Sequence, residues 1–92
     1  MILIFGGTTE GRTAAETLDE AGQPFYYSTR GTLQEVTCRN MTRLTGNMDS
    51  EKIISFCREH DIRLIIDAAH PFAQQLHLNI FLAAKELTIK VV

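Results

Sequence analysis

Three short stretches of the chain contain residue types that bind phosphate groups or move protons. The first, Gly6–Gly11, reads G-G-T-T-E-G and directly follows the apolar run Ile2–Phe5. A buried strand, a glycine turn and a helix start together form a common cradle for a nucleotide phosphate, because the helix N-terminus offers unpaired N–H groups and partial positive charge. Written as G-x-G-x-x-G, the motif keeps Gly6 and Gly11 but has Thr8 at its middle position.

The threonine leaves two interpretations of this turn open. In a dinucleotide site, Thr8 would displace the phosphates outward or offer them its hydroxyl, since the middle glycine normally lets the pyrophosphate approach the backbone. In the alternative, the stretch is a glycine-rich turn in which Thr8 or Thr9 caps the first helix. The strand–turn–helix context favours phosphate binding.

The second stretch, Ser28–Gly31, follows an aromatic strand. At this place a dinucleotide fold reaches the adenosine ribose, where an Asp or Glu would accept a hydrogen bond from the 2′-OH of NAD. The sequence instead offers the hydroxyls of Ser28 and Thr29 and the guanidinium of Arg30, which are donors and suit a 2′-phosphate. The alternative is a polar turn with a solvated arginine.

The third stretch, Asp67–Phe72, reads D-A-A-H-P-F and follows another apolar strand. Pro71 fits the first position of the last helix and biases His70 to an extended backbone, so we expect His70 on a stiff corner. Asp67 is expected to orient His70 or the backbone of the turn. The alternative is that His70 is a surface residue at a helix start, hydrogen-bonded within its own loop.

Hydrophobic periodicity predicts the elements that position these stretches. The predicted strands are Ile2–Phe5, Phe25–Thr29, Met41–Thr45, Arg63–Asp67 and Thr88–Val92, and the predicted helices are Thr9–Glu20, Ser50–His60 and Phe72–Glu86. Asp49 is the expected N-cap of the second helix, and Phe72 is expected on the buried side of the third. Leu33 and Val36 fit either one helical turn or a frayed strand.

This alternation predicts an α/β fold, a Rossmann-like doubly wound parallel sheet of about five strands in the order 3-2-1-4-5. Ligands bind such sheets outside the carboxyl ends of the strands, at the point where the strand order reverses. Here that point is the crevice between the first and fourth strands. Gly6–Gly11 and Asp67–Phe72 are both expected on its rim.

Composition describes one small domain and argues against several classes of function. The chain has 92 residues, 45% hydrophobic and 22% charged, with a net charge of −2. No basic cluster predicts nucleic-acid binding, and no apolar stretch is long enough to span a membrane. The two cysteines and the histidines show no metal-ligand spacing, so no metal site is expected, and His60 and His77 receive no role. Free thiols without a signal peptide predict a cytoplasmic protein.

Three motifs together resemble one enzyme family. Ile2–Arg12, I-L-I-F-G-G-T-T-E-G-R, resembles the amino terminus of the precorrin-6A reductases of cobalamin biosynthesis, including the cobalt-precorrin-6A reductases of the anaerobic route. Asp67–Ala73 is similar to the family's D-A-T-H-P-[FY]-A signature, and Gly46–Asp49 is similar to its G-R-L-D turn. The chain departs from these patterns at Ala69, in place of threonine, and at Asn47-Met48, in place of Arg-Leu.

The resemblance implies an NADPH-dependent reduction of a double bond in the precorrin-6A or cobalt-precorrin-6A macrocycle, with hydride supplied by the nicotinamide. It implies pyrophosphate binding by Gly6, Gly7, Thr8, Thr9 and Gly11 with Arg12 beside them, 2′-phosphate binding by Ser28, Thr29 and Arg30, and a nicotinamide and substrate rim formed by Asp67, His70 and Pro71. Asp67 and His70 are the candidate catalytic residues. Family members are more than twice as long, so residues 1–92 correspond to an N-terminal cofactor-binding domain without the second α/β domain.

Two other functions compete with this one. An extended dehydrogenase or epimerase needs a Tyr-x-x-x-Lys pair, which this sequence does not contain. A nucleotide-sensing module without catalysis would share the fold, and a regulatory or channel partner would distinguish it. If the chain is a reductase fragment, we expect it to be inactive alone. We also expect an apolar surface near Val91 and Val92 that can make the fragment dimerise.

Overall fold

A computed structural model describes residues 1–31 and 36–92 of the chain. The strands are β1 (Ile2–Phe5), β2 (Phe25–Thr29), β3 (Met41–Thr45), β4 (Leu64–Asp67) and β5 (Lys90–Val91), and the helices are α1 (Thr9–Glu20), α2 (Ser50–Glu59) and α3 (Gln74–Leu87). The predicted alternation of strands and helices is confirmed. The prediction for Leu33 lies outside the described residues, whereas Val36 has no regular structure and packs against the core beneath α1.

The five strands form one parallel sheet in the order β3-β2-β1-β4-β5, as predicted. In this register Phe5, the last residue of β1, lies opposite Ser28 of β2 and Asp67 of β4. The three stretches with candidate chemistry therefore leave the sheet at one edge. This is the edge at which parallel sheets of this topology bind ligands.

Both faces of the sheet are covered, which explains the continuous apolar runs of the central strands. One core contains Leu3, Phe5 and Ile65 packed against α2 and α3, and the other contains Ile4 and Tyr27 packed against α1. Burial in the first core raises the pKa of the Cys57 thiol to about 11, so this cysteine behaves as a small apolar side chain.

The first two helices begin at side-chain caps that the sequence predicts. The Thr8 hydroxyl accepts from the Gly11 N–H at 3.1 Å, and the Asp49 carboxylate accepts from the Lys52 N–H at 2.8 Å. Each cap satisfies a backbone donor that the first helical turn cannot pair internally.

The third helix begins two residues later than predicted, at Gln74, with no side-chain cap. The prediction that Pro71 occupies the first position of this helix is therefore wrong. The Ala73 N–H donates to the His70 carbonyl at 2.9 Å, and the resulting turn precedes the helix. Phe72 is also misplaced by the prediction: it lies in this turn and is 83% exposed.

Several large apolar side chains are exposed in the turn before α3, on the outer surface of α3, in β5 and just after it. They are Phe72, Leu78, Phe81, Leu82, Val91 and Val92. Among the described residues, no helix has both the length and the apolar character needed to cross a bilayer.

Candidate functional site

A cleft of ≈ 920 Å³ runs along the carboxyl edge of the sheet. Its wall combines the glycine turn after β1, the ends of β2 and β3, the loop after β4 and the start of α3. The described residues that line it are Phe5, Gly6, Gly7, Ser28–Gly31, Gly46–Asp49, Ala69, His70, Phe72–Leu76 and Asn79. This volume lies within the range of small-molecule and cofactor sites.

The glycine turn is shaped by its contact with Tyr27, a fully buried residue of β2. A Cβ atom at Gly6 would lie 2.2 Å from the Tyr27 ring, and one at Gly11 would lie 2.9 Å from the Gly6 Cα. The Gly7 N–H lies 3.2 Å from the Tyr27 hydroxyl and donates to it. Gly6 and Gly11 are thus required by internal packing, and Tyr27 supports the turn from below.

Thr8 connects the glycine turn to the loop after β4. Its hydroxyl donates to the Ala68 carbonyl while accepting from the Gly11 N–H. The helix-capping interpretation of Thr8 is therefore confirmed, and in this conformation the hydroxyl proton is used within the protein. Ala68 is held on its other side by its N–H, which donates to the Phe5 carbonyl at 2.8 Å.

The end of β2 brings two hydroxyls and a guanidinium to the cleft. Ser28 is only 4% exposed, and its hydroxyl lies 3.9 Å from the Met48 sulphur, a weak acceptor. The Thr29 hydroxyl donates to the Gly31 carbonyl and so shapes the turn. The exposed Arg30 donates from Nε to the Asn47 side-chain oxygen at 3.0 Å, which joins the loops after β2 and β3.

Arg43 of β3 places a second guanidinium beside this end of the cleft. Its Nη2 donates to the Thr29 hydroxyl at 3.0 Å, and the guanidinium carbon lies 5.5 Å from the centre of the Tyr27 ring. Its Nε is buried without a hydrogen-bond partner in the described structure. A buried donor without a partner is costly, so the position of Arg43 Nε is an unfavourable feature that the contacts of Nη2 offset.

The opposite end of the cleft is formed by the loop that follows β4. Asp67 accepts from the Ala69 N–H at 3.2 Å through one carboxylate oxygen and contacts His77 Nδ1 at 2.6 Å through the other. His77 Nε2 lies 2.9 Å from the His70 carbonyl oxygen. His70, which lines the cleft, is exposed, and its Nδ1 accepts from the Phe72 N–H at 3.1 Å.

These contacts change the acid–base behaviour of His77. Its hydrogen bond to the Asp67 carboxylate, supported by the bond to the His70 carbonyl, raises the pKa of His77 above its ordinary value. The charged form of His77 is therefore favoured up to a higher pH than in an unperturbed histidine. Asp67 orients the turn backbone as predicted, but its ring partner is His77 and not His70.

Comparison with known proteins assigns this geometry to a family. The family model described as "Precorrin-6x reductase CbiJ/CobK" matches residues 1–92. The chain belongs to this family. A solved structure, "CobK precorrin-6A reductase", superposes with a TM-score of 0.87 at 25% identity and covers 98% of this chain and 36% of its own.

Two curated relatives agree with the family assignment. A cobalt-precorrin-6A reductase of Priestia megaterium is 31% identical over 91 residues, and a precorrin-6A reductase of Rhodobacter capsulatus is 30% identical over 79 residues. These alignments cover 97% and 85% of this chain but only 36% and 32% of the relatives. The chain therefore spans about a third of the length of these relatives.

The cleft of this family member contains only some of the residues predicted from the sequence. Gly6, Gly7, Ser28, Thr29, Arg30 and His70 line it. Thr8, Thr9, Gly11, Arg12, Asp67 and Pro71 are not among the described lining residues. Of these, Thr8, Gly11 and Asp67 contribute indirectly, because their hydrogen bonds fix the turns that line the cleft.

The residues with a part in the site that the sequence analysis missed include Tyr27, Arg43, His77 and Asn79. Asn79 lines the cleft and donates to the Met48 carbonyl at 3.3 Å, which ties α3 to the loop after β3. Arg43 had a usable signal, because a charged residue at an inward position of a predicted strand needs a partner. No three His, Cys, Asp or Glu side chains come together as a metal site within residues 1–31 and 36–92.

Proposed function

We propose that this chain is the NADPH-binding, N-terminal part of a precorrin-6A or cobalt-precorrin-6A reductase of cobalamin biosynthesis. The observation that carries the proposal is a continuous cleft that connects the ends of β2 and β3 to the β4 loop across the glycine turn. A dinucleotide is elongated, with an adenosine half and a nicotinamide half. Such a ligand needs one continuous groove across the switch point of the sheet.

In this proposal the adenosine half lies at the ends of β2 and β3. The Ser28 hydroxyl donates to the Met48 sulphur, a weak acceptor, so a ligand oxygen can replace the sulphur as its partner. Arg30 at the rim contacts the 2′-phosphate, and Arg43 beneath Thr29 adds positive charge at the same corner.

The pyrophosphate lies over the glycine turn, where the N-terminus of α1 provides a favourable dipole. Gly6 and Gly7 line the cleft there, and Thr8 and Gly11 keep the turn in place through the cap of α1. Thr9 and Arg12, in the first turn of α1, stand beside the phosphates in this proposal.

The nicotinamide half lies against the β4 loop, beside His70 and Pro71. When bound, the cofactor supplies the hydride, so the protein residues have to bind it, orient it and exclude water. Asp67 and His77 hold the loop backbone, and His70 faces the cleft as the candidate proton-handling residue. Substrate reduction further requires a wall on the open side of the cleft.

We propose that this wall belongs to the part of the family members that lies beyond the matched third. A macrocycle enclosed only by one edge of a small sheet would leave its reacting carbon and the nicotinamide in water. Positioning contributes up to about 7–11 kcal/mol to catalysis in favourable cases. The isolated chain is therefore expected to bind NADPH and to lack turnover.

Titration calorimetry with NADPH and NADH tests the cofactor assignment on the 92-residue chain. We expect NADPH to bind more tightly than NADH, and 2′,5′-ADP to compete with NADPH. An anaerobic assay with precorrin-6A and cobalt-precorrin-6A, following NADPH absorbance, then compares the chain with a full-length family member. No binding of either cofactor would reject the proposal, and equal turnover by the two proteins would reject the need for a second wall.

The exposed apolar residues of α3 and β5 support a further part of the proposal, that this surface contacts the second domain of a full-length enzyme. In the isolated chain, the same surface is proposed to drive dimerisation. Sedimentation over a range of concentrations, with Phe81→Ser as the variant, provides the test. A chain that stays monomeric at high concentration would contradict the dimer.

A further inference from the structure

The ring of His77 lies between two hydrogen-bond acceptors. Its Nδ1 is 2.6 Å from a carboxylate oxygen of Asp67, and its Nε2 is 2.9 Å from the carbonyl oxygen of His70. Asp67 closes β4, and His70 lies in the loop that follows. One side chain of α3 therefore contacts both the end of the strand and the middle of the loop.

A neutral imidazole cannot satisfy both contacts by donation. It carries one N–H and one lone pair, whereas a carbonyl oxygen and a carboxylate oxygen both require a donor. Only the imidazolium form donates from both nitrogens at once. Removal of its proton leaves one ring nitrogen with its lone pair facing an oxygen lone pair, which is repulsive.

The first part of the loop is tied to the sheet and to α1 through Ala68, whose N–H donates to the Phe5 carbonyl and whose carbonyl accepts from Thr8. Residues 70–73 make mainly local contacts. The start of α3 has no side-chain cap, and the Ala73 N–H and the Phe72 N–H both bond to His70. The backbone N–H of His77 itself donates to the Ala73 carbonyl at 3.0 Å. The His77 ring thus adds a link from the His70 end of the loop to the sheet, because Asp67 belongs to β4.

We propose that His77, in its imidazolium form, is a positioning residue that fixes the 67–73 loop and with it the cleft-facing side chain of His70. The inference rests on the proposed function in one respect: the proposed function places the nicotinamide beside this loop. Its structural part is independent of any ligand. Deprotonation of His77 is expected to loosen residues 70–73 relative to the end of β4, while Ala68 stays bonded to Phe5 and Thr8.

The raised pKa of His77 agrees with this arrangement, and its first cause is the bond to Asp67. The titratable groups that face the ring are Asp67 from β4 and His70 from the loop. Asp67 opposes deprotonation of His77 through its negative charge. The contact with His70 is made by its backbone carbonyl, so the charge of the His70 ring acts only at longer range.

Nitrogen-15 NMR of the ligand-free chain tests the inference directly. At pH 6.5 we expect the doubly protonated ring to predominate at His77, and we expect its titration midpoint to lie above the ordinary histidine value. The backbone amides of residues 68–73 should shift with the same midpoint. A His77 ring that is mainly a single-proton tautomer at pH 6.5, or loop amides that do not follow its titration, would overturn the inference.

The variant His77→Gln separates positioning from simple packing. Glutamine retains a donor for one acceptor but cannot titrate, so the pH-dependent shift of the 68–73 amides should be lost. His60→Gln is the matched control, since His60 lies at the end of α2 and contacts Tyr26. Persistence of the loop titration in His77→Gln, or its loss in His60→Gln, would contradict the assignment.

A cofactor titration then distinguishes this inference from the proposed function. If the chain binds NADPH, its affinity should weaken above the His77 midpoint in the wild type and show no such pH step in His77→Gln. The loop titration seen by NMR should occur whether or not NADPH binds. Failure to bind NADPH would therefore count against the proposed function, while a missing loop titration would count against the role of His77.

Discussion

The end of the cleft at β2 and β3 is held by fixed groups, whereas the end at β4 is held by a titratable pair. At the first end, Tyr27 supports the glycine turn, Thr29 shapes its own turn and Arg30 bonds to a neutral amide. At the second end, the contacts of His77 depend on a proton. One end should therefore keep its shape across pH, and the other should not.

The difference matches the task proposed for each end. A 2′-phosphate needs permanent positive charge, which arginine supplies at any physiological pH. In the proposed function, the nicotinamide end closes around the reaction and then releases its product. A loop segment whose contacts include a titratable one is better suited to opening than one held by packing alone.

The largest expected effect comes from Gly11→Val, which affects both ends at once. The new Cβ would meet the Gly6 backbone at 2.9 Å and the Tyr27 hydroxyl at 3.1 Å. Overpacking of this kind costs about 1–3 kcal/mol and occasionally more. Urea denaturation should show this loss, and NADPH binding should weaken. Gly31→Ala is the control for stability, because a Cβ atom added at Gly31 would meet no atom of residues 1–31 and 36–92 within 4 Å. Equal effects of the two variants would reject the packing role of Gly11.

The next largest effect is expected from Asp67→Asn, which acts only at the β4 end. It removes the charge that favours protonated His77, and we expect the free energy of unfolding at pH 6 to fall by about 1–2 kcal/mol. Asp61→Asn is the control, since its ion pair with Arg63 lies at 3.4 Å and is mostly exposed. An unchanged denaturation midpoint in Asp67→Asn would show that the His77 contact adds no stability.

Arg30→Ala should affect the β2 end alone and leave the loop titration unchanged. Loss of one exposed charge-assisted contact is expected to weaken NADPH about tenfold more than NADH. Arg58→Ala is the control, because it removes an exposed arginine of α2 that pairs with Glu86 near the end of α3. Equal weakening of NADPH and NADH would exclude Arg30 from the 2′-phosphate site.

The smallest effect concerns the pH dependence of stability. Because the pKa of His77 is raised by folding, the stabilisation is complete below its unfolded value of 6.5 and is lost as pH rises through the folded pKa. The free energy of unfolding should thus decrease over that interval, and the decrease should be smaller in His77→Gln. Identical pH profiles of the wild type and His77→Gln would mean that the contacts of His77 with Asp67 and His70 contribute nothing to global stability.

Local sequence determined the class of fold and the first end of the cleft. Continuous apolar runs alternating with helical periodicity predicted β1 to β5 in the correct order. Strands covered by helices on both faces, joined by right-handed crossovers, allow few other strand orders. Caps at Thr8 and Asp49 were also predictable, since capping depends on residues three positions apart. Ser28 and Arg30 could be found because they lie at the end of a strand and directly after it.

Tertiary structure decided the β4 end and the supports beneath the turns. Pro71 suggested a helix start. However, the Ala73 N–H donates to the His70 carbonyl and forms a turn, so α3 begins only at Gln74. Asp67 and His77 are ten positions apart, and their contact exists only because α3 packs back over β4. The same applies to Tyr27 under Gly6 and to Arg43 beside Thr29. Sequence spacing specifies contacts within one turn or one strand, whereas contacts between elements depend on how the sheet and helices pack.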